Sequence, residues 1–108
     1  MNEKTTIPNE LKETLELFVM ELERHISFLK NVTAEEESIF VSLQGISDRF
    51  HLIKGGAGFL GLEEMHNNAS QAEAICQRIE DLQTLDPSLT DELQSIVENI
   101  EFKLEDLR

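Results

Sequence analysis

The sequence predicts an all-α protein, an antiparallel up-down-up-down four-helix bundle. Three observations carry this expectation. Apolar residues recur at alternating intervals of three and four along most of the chain, the repeat of one helix face. Aromatic and β-branched residues form few clusters, and Trp and Tyr are absent. The breaks between apolar seams are short, so consecutive helices should lie antiparallel. At 108 residues, the chain is expected to form one domain over residues 1–108, with a modest core.

The first seam is Leu11, Leu15, Phe18, Leu22, Ile26 and Leu29. Pro8 suits the first turn of that helix, which should fade near Asn31. Thr33-Ala34-Glu35-Glu36 reads as a capping box that opens a second helix. Its seam is Ile39, Leu43, Ile46, Phe50, Ile53, Ala57 and Leu60, and Gly61 ends it. Leu62, Met65, Ala69, Ala72, Cys76 and Ile79 form the third seam. "TLDPSLTDE" then breaks the chain at Pro87. Leu89, Leu93, Ile96, Ile100, Leu104 and Leu107 form the fourth.

Composition excludes several function classes. The net charge of −13 argues against nucleic acid, which needs a basic footprint, and against an anionic membrane surface. It also makes any cation near a site informative. No segment approaches the apolar length of a membrane span, and the opening residues have no hydrophobic leader core. The one cysteine, Cys76, lies on a seam and reads as a buried free thiol in a reducing compartment. A cytoplasmic location is expected.

The stretch RFHLIKGGAGFLGLEE, residues 49–64, holds four of the five glycines: Gly55, Gly56, Gly58 and Gly61. Within a helix each costs up to about 1 kcal/mol relative to alanine. Helix rotation turns Phe50 inward and puts His51 roughly 120° away, on the flank of the bundle. Ser47, Lys54 and Gly58 share that flank, and Gly55 lies one turn beyond His51. Glycine beside a histidine removes bulk, so another protein can approach the imidazole. Lys54 supplies a cation suited to an anion such as a phosphoryl group on a ring nitrogen. A histidine nucleophile also needs its second nitrogen held, and a carboxylate bonded to Nδ1–H does this. Glu73 follows the core residue Ala72 as His51 follows Phe50, so the two can meet across an antiparallel pair. Gly56 and Gly58 can serve helix termination as well as access, and Phe40 can be core margin or docking surface.

The run from His51 to Leu62 resembles the H-x-x-K-G signature of histidine phosphotransfer (HPt) domains. It is closest in motif to the N-terminal phosphotransfer domain of chemotaxis histidine kinases. The resemblance implies that His51 accepts a phosphoryl group, Lys54 assists it, and Gly55 leaves room for the partner. It places Glu73 as the glutamate that bonds the acceptor, and Ser70 where those domains carry a second histidine. The implied partners are response-regulator receiver domains, with a histidine kinase or hybrid kinase as donor. Phe40, Gln44, Ser47, Gly55 and Gly58 form the expected docking surface. Mg²⁺ is expected on the receiver, with no metal or other cofactor on this chain. The expected activity is that of a carrier with no ATP site of its own, not an enzyme, working as a monomer.

The same residues admit rival readings. Gly56 to Gly61 also satisfies G-x-G-x-x-G, but a helical seam precedes it and not a strand. Glu63-x-x-His66 suggests a di-metal bundle, yet a second pair is lacking and both residues lie off the seam. The alternative with most weight is an adaptor bundle that docks receivers or a kinase without carrying phosphate.

Overall fold

The structure is a computed structural model and describes residues 8–108; the opening segment read for a leader, residues 1–7, lies outside the described residues. A 3-10 turn, Asn9–Leu11, leads into helix α1, Lys12–Val32. Then follow α2, Glu36–Val41; α3, Leu43–Phe59; α4, Glu63–Leu82; and α5, Pro87–Leu107. No strand occurs among the described residues. The four long helices pack as neighbours: α1 on α3 and α5, and α4 on α3 and α5, with α3 and α4 the most extensive pair. The molecule measures 45 × 21 × 19 Å.

The seams read from sequence are the core. All seven apolar positions from Ile39 to Leu60 are buried, with Phe50 the largest side chain shut away completely. The third seam is buried throughout, and Ile75 joins it. In α1 the seam is buried at Leu22, Ile26 and Leu29. Its N-terminal members Leu11, Leu15 and Phe18 are only partly covered.

Two local expectations are corrected. The second helix is not continuous: Ser42, at φ −102° and ψ 14°, divides it into α2 and α3. Val41 and Ser42 are weak helix formers, one β-branched and one able to compete for main-chain groups. The Ser42 N–H still donates to Ser38 O at 2.9 Å, and Ile46 N–H to Ser42 O at 2.8 Å. The apolar seam therefore crosses the break. The capping box does not form either. Thr33 is buried at the end of α1, and its Oγ1 donates back to Leu29 O at 2.7 Å. Its own carbonyl accepts from Gln94 Nε2 of α5 at 2.6 Å. Thr33 thus closes one helix and does not open the next.

Other ends follow their chemistry. Pro87 occupies the first turn of α5, and the Asp86 carboxylate accepts from Ser88 N–H at 2.9 Å. That backbone donor, with the Ser88 hydroxyl, holds the Asp86 carboxyl below its ordinary range. At the end of α3, Gly61 takes φ +74°. Leu62 N–H then donates to Ala57 O at 2.8 Å and Gly61 N–H to Gly58 O at 3.2 Å, the paired bonds of a Schellman turn.

Candidate functional site

Phe50 and Ile53 turn into the core, and this orients α3 so that His51 faces out, its side chain 69% exposed. One nitrogen of the ring is held. His51 Nδ1 lies 3.1 Å from Glu73 Oε2 on α4. A carboxylate oxygen accepts, so Nδ1 carries the hydrogen, and in the neutral ring Nε2 then holds the free lone pair. Among the described residues Nε2 has no protein partner.

Glu73 also faces Lys54, whose Nζ is 2.8 Å from Oε1. That oxygen is closed off from solvent, and the ammonium approaches it as an ion pair, off the ideal hydrogen-bond angle. Burial by itself would push the Glu73 carboxyl up. The contacts and charges of Lys54 and His51 outweigh it and hold the group below the usual glutamate range. A carboxylate therefore stands permanently against Nδ1 at neutral pH. The structure thus brings His51, Lys54 and Glu73 into one α3–α4 cluster.

The glycines divide by surroundings. A Cβ on Gly55 would meet nothing within 4 Å, so the surface beside His51 is open there. A Cβ on Gly56 would stand 2.5 Å from the Phe18 ring, so Gly56 lets α1 lie close to α3. Gly58 faces α4: a Cβ there would be 3.1 Å from His66 Nδ1. Of the remaining residues expected to dock a partner, Gln44 is exposed and bonded to Asp48 Oδ1 at 2.9 Å. Ser47 is half-buried, and Phe40, on α2, is 39% exposed.

Several features escaped the sequence reading. His66, which the sequence marks only as half of an E-x-x-H pair, puts Nδ1 3.1 Å from the Lys54 carbonyl. An apolar cleft of about 360 Å³ runs between α1 and α3, lined by Leu17, Phe18, Leu52, Phe59 and neighbours. Leu17, Leu52 and Phe59 are exposed, and their signal in the sequence is large apolar residues standing off the seams. Cys76 is buried, and burial followed by the nearby Glu73 charge pushes its thiol up to about 12. No cluster of three or more His, Cys, Asp or Glu fit to hold a metal occurs among the described residues. No helix among them is long and apolar enough to cross a membrane.

Comparison with protein families matches the Hpt domain over residues 13–102, a span that runs from α1 into α5 and takes in the whole α3–α4 cluster. Comparisons with curated proteins and with solved structures gave no match. With the family matching most of the chain, and its fold all-helical, this protein belongs to the Hpt domain family, the histidine phosphotransfer carriers that work with kinases and receiver domains in phosphorelays.

Proposed function

We propose that His51 is the phosphoacceptor of this carrier and that Nε2 is the attacking atom. The observation that supports this best is the division of labour within one exposed ring: Nδ1 is held by Glu73 at 3.1 Å, and Nε2 is free. In the forward step the Nε2 lone pair attacks phosphorus of a receiver's aspartyl phosphate. The P–O bond to the aspartyl oxygen breaks, and the aspartate leaves as a carboxylate. The ring, still protonated at Nδ1, gains positive character, which the Glu73 carboxylate stabilises. Lys54 lies within reach of the same carboxylate and offers an ammonium to the incoming phosphoryl oxygens. Transfer to a second receiver reverses these steps. Mg²⁺ belongs to the receiver's acidic pocket, and a histidine kinase or hybrid kinase is the alternative donor.

Access fits the same reading. The open space at Gly55 lets a partner's acidic pocket close over the ring. Gln44, Ser47 and Phe40 extend the docking surface along α3 and α2, and Leu52 and Phe59 extend it toward α1. We read the four long helices as the up-down-up-down bundle, with α2 as an added segment, and the carrier as a cytoplasmic monomer.

The test is transfer of label from a phosphorylated receiver, or from a kinase with labelled ATP. The expected result is acid-labile, alkali-stable label on the protein, abolished by His51→Gln. Label that survives His51→Gln would remove the site assignment. A folded protein that binds receivers yet takes no label from any donor would make it an adaptor.

A further inference from the structure

We infer that His66 is a positioning residue of this site: its imidazole pins α4 to the turn of α3 that carries Lys54, and Gly58 is the clearance that admits it. The inference rests on the phosphoacceptor reading and goes beyond it.

His66 Nδ1 lies 3.1 Å from the Lys54 main-chain oxygen. A carbonyl only accepts, so Nδ1 donates, and the neutral ring is held in its Nδ1–H form. Inside a helix such a carbonyl already receives the amide four residues on, here that of Gly58. Its second lone pair takes a donor from another helix. A side chain at position 58 would crowd that approach. A Cβ there would stand 3.1 Å from Nδ1 and 3.5 Å from Cε1 of His66.

Lys54 is therefore tied to α4 at both ends. Its carbonyl accepts from His66, and its Nζ meets Glu73 Oε1 at 2.8 Å. His66 and Glu73 are about two turns apart and share a face of α4. Glu73 Oε2 in turn holds His51 Nδ1. Any slide or roll of α4 against α3 would carry the carboxylate away from the imidazole. His66 resists that motion without touching the phosphoryl group.

Three variants test this. His66→Asn keeps an N–H donor near the position of Nδ1. His66→Leu keeps bulk and removes the donor. Gly58→Ala leaves the imidazole and crowds it, so that the ring must shift by a few tenths of an ångström against the Lys54 carbonyl. Two measurements are made on each: the histidine tautomers by long-range ¹H–¹⁵N NMR, and the rate of His51 phosphorylation by phosphoramidate. In that reaction Nε2 attacks phosphorus, the P–N bond breaks and ammonia leaves. In the wild type, His51 and His66 should both show the Nδ1–H form. His66→Leu and Gly58→Ala should give His51 a mixture of tautomers and slow its phosphorylation about fivefold, whereas His66→Asn should stay within about twofold of wild type. Unfolding midpoints are recorded alongside. If His66→Leu does not fold, Gly58→Ala and His66→Asn decide the matter. The inference is overturned if folded His66→Leu or Gly58→Ala keeps the wild-type His51 spectrum and rate, or if His66→Asn behaves like His66→Leu. A wild type that phosphoramidate does not phosphorylate would count against the phosphoacceptor reading, and the tautomer spectra would still judge His66.

Discussion

Glu73 spends both oxygens inside the site, one on each of two cationic or donor groups. That is why a partly buried carboxyl stays ionised although burial opposes it. The neighbouring glycines show how single atoms divide labour on one helix. Gly55 faces open space and Gly56 faces the Phe18 ring. Their alanine variants should accordingly move stability in opposite directions. Gly55→Ala should raise unfolding free energy by about 0.5–1 kcal/mol through helix propensity, while slowing transfer to a receiver. Gly56→Ala should lower it by about 1 kcal/mol, because overpacking against Phe18 exceeds the propensity gain. Urea unfolding of the two variants measures this, and equal effects of one sign would contradict the assignment of the two faces.

The helices themselves were the most legible part of the sequence. Seams at helical spacing report burial directly, and the buried residues of α3, α4 and α5 follow them closely. Local hydrogen bonding was less legible. Thr33 and Glu36 have capping-box spacing, but a threonine beside the end of one helix can also bond backward, and Thr33 does so. The break at Ser42 left no mark in the apolar pattern, because the seam runs through it. Within the site, the outward turn of His51 followed from its place beside Phe50. The reach of Glu73 depends on how α3 and α4 are set against each other, which spacing alone does not fix. The His66 contact was hidden for the same reason: it joins a side chain to a main-chain atom of another helix. Gly61 was readable because a left-handed residue at a helix end has few substitutes. Gly61→Ala, at φ +74°, should cost about 1 kcal/mol and lower the urea midpoint, with the helical content of the folded state unchanged. An unchanged midpoint would mean that the turn relaxes without strain.

At the scale of the molecule, the cluster sits on the most extensively packed helix pair of an acidic bundle. Rigid helices on both sides hold the carboxylate against the imidazole, and the chain's −13 charge leaves Lys54 as a local exception beside the ring. Three histidines are present, at positions 25, 51 and 66, and they differ in surroundings. His25 is half-buried, and burial, followed by the Arg49 charge, holds its pKa below the ordinary histidine value. His66 has its Nδ1 bound to a carbonyl. Only His51 combines a carboxylate-held Nδ1 with an exposed ring. The most direct measurement is to treat the intact protein with phosphoramidate and locate the phosphoryl group by ³¹P and long-range ¹H–¹⁵N NMR. A single phosphoryl group on Nε2 of His51 is predicted; phosphorylation at His25 or His66 instead, or on Nδ1 of His51, would contradict the account.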